Sequence, residues 1–231
     1  MNFAHPHLSP TQIQTMDWLA VLNAEQQAYV ASTIEVTAAA PGDIVCRSGQ
    51  QPTHWIGVVQ GLVKMSENAA NGRTVTFAGF PPGGWFGEGT LLEEGRYRYE
   101  IQSLQDSVLA QLPALVFHRL LRESIGFNQF LMRQFNQRLG QFIAYKAAEH
   151  TLPLEQQLAR ALVTLFDPGI YRSAPRKLKI TQQELGYLVG TTRQQINQAL
   201  QVLEQAHAAR AGYGGVELLD FEKLRALCNV S

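Results

Sequence analysis

Five polar residues, Arg193, Gln194, Asn197, Gln198 and Gln201, recur at helical spacing within the stretch ITQQELGYLVGTTRQQINQALQVLEQ, which runs from Ile180 to Gln205. Their chemistry is that of base recognition. An arginine suits the paired acceptors of guanine, and Asn or Gln suits the donor–acceptor pair of adenine. The face is long and almost free of acid. Its reverse carries Ile196, Ala199, Leu200 and Leu203, the apolar stripe that would bury such a helix. A shorter helix precedes it. Thr181 and Glu184 have the spacing of a capping box, Leu185, Leu188 and Val189 form its stripe, and Gly190 tolerates the positive φ of a helix exit. Thr191 or Thr192 can cap the second helix. The pattern is a helix-turn-helix. An ordinary amphipathic helix pair with a solvated face has the same stripe, so the remainder of the chain decides between them.

The 231 residues suffice for one large domain or two smaller ones, each with its own core. Basic and acidic residues number 19 each, so the formal charge is zero. The sign is split, however: residues 151–231 carry nine basic against seven acidic side chains, and residues 1–150 ten against twelve. This fits nucleic-acid contact by the C-terminal part, through placed side chains and helix N-termini rather than bulk charge. Cys46 and Cys228 lie far apart, so a disulfide framework, a zinc site and a cysteine-ligated iron–sulfur cluster all lack ligands. No apolar run approaches a membrane span, and the start MNFAHPHLSP lacks the layout of a signal peptide. The expectation is a cytoplasmic protein that is not an enzyme and has no membrane or metal partner.

Other elements must position the polar face. Residues 10–31 predict one or two short helices burying Leu19, Val21 and Leu22. From about Ser32 to Pro113, the segments IEV, DIVC, HWIGVV, LVKMS, VTFAGF, WFG, YEIQSL and VLAQL alternate with Gly, Pro and Asn turns, which predicts a β-sandwich, barrel or roll. Pro41-Gly42-Asp43, Asn71-Gly72 and Pro81-Pro82-Gly83-Gly84 are the clearest turns, with a hairpin tip at Asn68–Asn71. A proline-free stretch from Ile125 to His150 places Met132, Phe135, Leu139 and Phe142 at 3-4-3 spacing, widened by Phe127, Phe130, Leu131 and Ile143. Such a helix would run about 39 Å, more than one small β-domain covers, so the stripe can serve both that domain and a dimer seam. Leu152-Pro153 breaks it, which makes residues 150–154 a hinge. Leu154 to Phe166 predicts another helix, ended by Asp167-Pro168-Gly169, and Tyr171–Lys179 a basic loop. AARAGYGGVELLDFEKLRAL predicts two strands around a Gly-rich tip, with Arg210 and Tyr213 either within reach of a phosphate or simply exposed.

This order of parts resembles the Crp/Fnr family of bacterial transcription regulators from about residue 15 to residue 225. The resemblance implies an α+β chain. A double-stranded β-helix or jelly-roll-like sensor domain (cyclic-nucleotide-binding-like) would span 1–124, a long dimerisation helix 125–150 and a winged helix-turn-helix DNA-binding domain 151–231. It also implies a homodimer on a palindromic operator in double-stranded DNA, with RNA polymerase as a further partner. In the family's DNA-reading motif, the arginine matching Arg193 contacts a guanine in the major groove. The other base-reading positions fall on Gln194 and Gln198, where the cyclic-AMP receptor branch usually has Glu and Arg, so a different half-site is implied. The phosphate-contacting amide matches Gln183, with Thr181 and Thr192 beside it. Asn197 shares the reading face.

A second stretch, GWFGEGTLLEEGRYRYE, resembles the phosphate-binding cassette of cyclic-nucleotide-binding domains. There a Gly-Glu pair opens a short helix whose N–H groups, with one guanidinium, hold the cyclic phosphate, and the Glu takes the ribose hydroxyl. Gly87, Glu88 and Arg98 match. Tyr99 replaces a small hydroxyl residue and Glu100 a small apolar one, while Phe142 and Ile143 stand where cyclic-AMP receptors place Thr and Ser. No cofactor is assigned. One reading has Gly87, Glu88, Arg98 and Tyr99 bind a cyclic nucleotide or another small effector. In the other, Arg98 pairs with Glu88 or Glu100 and holds the roll together. Haem sensing would call on His54, His118 or His150, and a cupin-type enzyme on the His5-x-His7 pair, which lies outside the roll. Cys46 is expected to be a small core residue. The alternative to a DNA-binding regulator is a cyclic-nucleotide-type module acting through protein partners.

Overall fold

The computed structural model describes residues 16–68, 74–171 and 175–228. The eight apolar segments form eight strands: β1 Glu35–Ala39, β2 Ile44–Cys46, β3 His54–Gln60, β4 Val63–Asn68, β5 Thr74–Phe80, β6 Trp85–Phe86, β7 Glu100–Ser103 and β8 Ser107–Pro113. They pair antiparallel in two four-stranded sheets, β1-β8-β3-β6 and β2-β7-β4-β5. Alternation along each strand turns one set of side chains inward. Ile56, Val58, Phe86 and Leu109 of the first sheet and Cys46, Val63, Phe80 and Ile101 of the second make one core between the sheets. Gly57 permits the pairing of β3 with β6, because a Cβ there would lie 2.4 Å from the Trp85 ring. Most of the hairpin tip expected at 68–71 lies outside the described residues.

A 3-10 helix, Asp17–Val21, and α1, Ala24–Thr33, precede the roll, and the short α2, Glu88–Leu92, interrupts it. Leu19 and Leu22 are buried. Beyond β8 come α3, Ala114–Glu123, and α4, Ile125–Thr151. A second core forms where α4 meets the roll. Trp18, Trp55 and Trp85 stack with ring centroids 4.3 to 5.2 Å apart, and Phe117 and Phe127 close the cluster. The apolar stripe of α4 divides there. Phe127 and Leu131 are buried in this core, whereas Met132, Leu139, Phe142 and Ile143 are more than half exposed.

The C-terminal body has α5, Leu154–Phe166, then the two-residue β9, Lys177–Leu178, α6, Gln182–Val189, and α7, Arg193–Gln205. It ends with β10, Ala209–Gly212, β11, Gly215–Leu218, and α8, Phe221–Cys228. Two features depart from the sequence expectation. The basic loop contributes β9, which pairs with β11 and makes the wing a three-stranded sheet. The apolar run after the wing is not strand to its end. Leu224 is buried three residues after Phe221, and Asp220 accepts a hydrogen bond from the Lys223 amide at 3.1 Å, so the chain turns into α8.

The two bodies are held together. Leu62, just before β4, is buried in the C-terminal core, and a Cβ on Gly79 would come within 2.7 Å of the Leu165 side chain. Tyr145 on α4 donates its hydroxyl proton to the Leu188 carbonyl. The Lys64 ammonium meets both Glu184 carboxylate oxygens at 2.8 and 2.9 Å, and their side chains are 6% and 21% exposed. This corrects the expected capping box. Thr181 accepts from the Glu184 amide at 3.1 Å, but the Glu184 carboxylate goes to Lys64. A buried ammonium without a counter-charge is costly, and that outweighs the second half of a cap. Lys64→Ala, which leaves Glu184 unpaired, is expected to lower unfolding free energy by about 2–3 kcal/mol, near the low end for a broken buried pair because Glu184 can regain water. Urea unfolding checks this, and replacing both residues by apolar ones should recover most of the loss.

Candidate nucleic-acid interface and sensor cassette

Three local devices set the helix-turn-helix. Thr181 caps α6, and Gly190 leaves it in the left-handed region at φ 77°. Thr192 then caps α7 in a complete capping box with Gln195. Thr191 strengthens this second start by donating to the Gln195 side-chain oxygen at 2.6 Å. Gly186 permits the sharp turn, since a Cβ there would stand 2.7 Å from the Thr191 carbonyl. Ile196, Ala199, Leu200 and Leu203 are buried against α5 and α6. The reverse face, with Arg193, Gln194, Asn197 and Gln198, is exposed, as are Thr181, Gln183 and Thr192. Asn197 is further arranged, because its side-chain oxygen accepts from the Gln182 amide at 3.2 Å. Its own N–H groups are the part left to meet an acceptor. At the wing, Arg210 pairs with Glu217 at 2.8 Å across the hairpin, and Tyr213 stands out fully exposed.

The cassette is less uniform. Gly87 takes φ 95° at the start of α2, as a Gly-Glu opening requires, and Glu88 begins the helix. The side chains around it are committed within the protein. Glu88, 3% exposed, accepts from the Trp55 indole at 3.2 Å and from the Arg138 guanidinium, which also donates to the Trp85 carbonyl. Arg98 is 86% exposed and pairs only loosely, at 3.4 Å, with Glu93. The expected partners Glu88 and Glu100 are not the ones it takes. Glu100 instead accepts from Asn68 at 3.1 Å. The structure therefore gathers Gly87, Glu88 and Tyr99 but turns Arg98 outward.

Tyr99 lies inward beside Tyr97, their rings 5.6 Å apart. Burial raises the phenol pKa of both, with the neighbouring Cys46 adding to Tyr97 and a hydrogen bond with Thr90 opposing it in Tyr99. Both are neutral fillers of the roll at ordinary pH. Cys46 is buried, and that burial pushes its thiol up to about 11 against a weaker opposing hydrogen bond with Tyr97. A neutral, buried thiol is a core residue rather than a nucleophile. Among the described residues, no group of three His, Cys, Asp or Glu is placed to hold a metal. His54 bonds Thr53 and faces Glu35, while His118 lies edge-on to Phe117. His5 and His7 lie outside the described residues, and so does the side chain of His150.

Residues 36–124 match the cyclic nucleotide-binding domain family and residues 156–227 the Crp-like helix-turn-helix domain family. The chain is 30% identical over 174 residues to the transcriptional regulator SdrP of Thermus thermophilus, covering 74% of this chain and 81% of that protein. The chain belongs to the Crp/Fnr family of transcription regulators. It is also 25% identical over 157 residues to the cAMP-activated global transcriptional regulator CRP of Pasteurella multocida, covering 67% of this chain and 75% of that one. A solved Crp/Fnr regulator from Thermus thermophilus superposes with a TM-score of 0.62 at 26% identity, over 84% of this chain and 98% of its own. The fold is the family's, a β-sandwich of the cyclic-nucleotide-binding type followed by a helix-turn-helix in a mixed α+β chain. The protein is thus a DNA-binding transcription regulator.

Within this Crp/Fnr frame, sequence reading missed Arg138, the residue that takes up Glu88 from 50 positions away. Its one signal is an arginine inside an otherwise apolar helical repeat, which by itself names no partner. Arg98 and Arg138 are separable by experiment. Arg98→Ala should change unfolding free energy by less than about 0.5 kcal/mol, as for most exposed ion pairs. Arg138→Ala leaves Glu88 buried and unpaired and should cost about 3 kcal/mol or more. Denaturant melts of the two variants read this difference.

Proposed function

We propose that the chain is a homodimeric, sequence-specific regulator reading a palindromic operator in double-stranded DNA through α7. The observation that carries this is the exposed face of a firmly capped helix that ends in base-pairing side chains. In this reading Arg193 donates to a guanine, Gln194 and Gln198 meet neighbouring base edges, and Asn197 offers N–H groups to an acceptor. Gln183, Thr181 and Thr192 take phosphates at the helix starts. The exposed Met132, Leu139, Phe142 and Ile143 supply the seam to a second copy, so that two recognition helices enter successive major grooves about 34 Å apart. Family membership supports RNA polymerase as the protein partner and the cytoplasm as the place of work. No helix among the described residues is long and apolar enough to cross a membrane. The reading predicts two distinct losses on an operator selected from random duplexes. Arg193→Ala should weaken specific binding by about 1–3 kcal/mol while leaving the dimer intact. Leu139→Glu should give a monomer in sedimentation and lose the operator with it. An Arg193→Ala variant that binds its operator as tightly as the parent would remove α7 as the reading helix.

The Pasteurella relative is cAMP-activated. For this chain we propose a different control. Gly87, Glu88 and Tyr99 keep the cassette's place in the fold, but the Glu88 carboxylate is occupied by Trp55 and Arg138, and Tyr99 fills space beside it. Calorimetric titration with cyclic AMP should give no saturable heat. Saturable binding that is lost in Arg98→Ala would overturn this and restore the cassette as a nucleotide site.

A further inference from the structure

A cavity of about 230 Å³ opens at the junction of the two bodies, with Arg138 on its wall. Four aromatic side chains line it: Trp18, Trp85, Phe130 and Tyr171. Among the described residues, the rest of its wall comes from Asp17, Gly83, polar groups of α4 and the turn at 169–171 beyond α5. At about 100° per residue, Phe130, Arg133, Gln137 and Gln141 lie roughly opposite the seam residues Met132, Leu139 and Ile143. A second copy seated on the seam therefore leaves the cavity open.

Three further observations describe what would enter. Trp18 is 1% exposed, and among the described residues its indole N–H has no hydrogen-bond partner, nor does the side-chain oxygen of Gln134. Both residues belong to the wall. Buried polar atoms are rarely left unmatched. The charges are also uneven in their commitments. Arg138 is taken by Glu88, and Asp17, the carboxylate on the wall, already has an interaction of its own, whereas Arg133 has no ion-pair partner among the described residues. Finally, the volume is below the roughly 300–1,000 Å³ of sites for drug-sized ligands, which limits the occupant to a single small ring system.

We propose that this cavity binds a small aromatic carboxylate, with its ring against the Trp85 and Tyr171 walls and its carboxylate on the Arg133 guanidinium. Burial raises the Tyr171 phenol pKa against the opposing pull of Arg138, so the phenol stays neutral and adds no negative charge to the wall. Because the wall draws on both bodies, an occupant stabilises the arrangement in which they meet as described. The site stands on the cavity alone and does not depend on how α7 reads DNA.

The chain's three tryptophans all sit in the adjoining core, two of them on the wall itself, so their fluorescence reports on the cavity directly. The test titrates the full chain with benzoate and, separately, with its uncharged analogue benzamide. A saturable change with benzoate at millimolar concentrations is expected, with benzamide about tenfold weaker, the difference of a charge-assisted pair. Arg133→Gln should weaken benzoate to the benzamide level, and Gln137→Phe, which fills the space from an exposed position, should abolish both responses. Circular dichroism confirms that each variant is folded. No saturable change, benzamide binding as tightly as benzoate, or a benzoate response unchanged by either variant would each overturn the proposal.

Discussion

A carboxylate at 3% exposure must find a cation and a donor, and Glu88 finds both outside its own segment. Arg138 reaches it from the middle of α4, and Trp55 from β3. The same guanidinium takes the Trp85 carbonyl and lies 5.5 Å from the Phe80 ring. These contacts fix the rotation of α4 against the roll. Once that rotation is set, Phe127 and Leu131 fall into the tryptophan core, and Met132, Leu139, Phe142 and Ile143 stay more than half exposed. The exposed apolar side chains of α4 and the cavity beside Arg138 thus lie on a helix whose rotation is set by one buried ion pair.

The DNA-binding end is built on a different balance. Local signals suffice to make the two helices and the turn between them: a threonine before each, a left-handed glycine, and a glycine where backbones approach. Where the pair sits is a tertiary matter. Leu62 from the roll fills the C-terminal core, Leu165 rests on Gly79, and Lys64 takes the Glu184 carboxylate that would otherwise have completed a cap. The placement of the helix-turn-helix is thereby coupled to strands β4 and β5 of the roll.

In the roll, α2 opens at a left-handed glycine while Glu88 beside it is taken up by Trp55 and Arg138. Gly87 retains its left-handed start, which no other residue adopts at comparable cost. Arg98 faces solvent, and Tyr97 and Tyr99 occupy the interior as neutral phenols. A family match over this segment therefore establishes the fold and says less about the effector.

By itself the sequence determined the parts. Short apolar segments set between turn residues marked all eight strands of the roll, since both signals are local in the chain. Helical spacing and caps marked α4 through α7 for the same reason. Tertiary structure decided the pairings. Glu88 with Arg138, Glu184 with Lys64 and the turn of Arg98 toward Glu93 join or separate residues by geometry that no spacing records. It also settled that the run after the wing becomes α8, where Leu224 needed a core to fill. A charged side chain selects its partner by desolvation cost at its final depth, and depth exists only once the chain has folded.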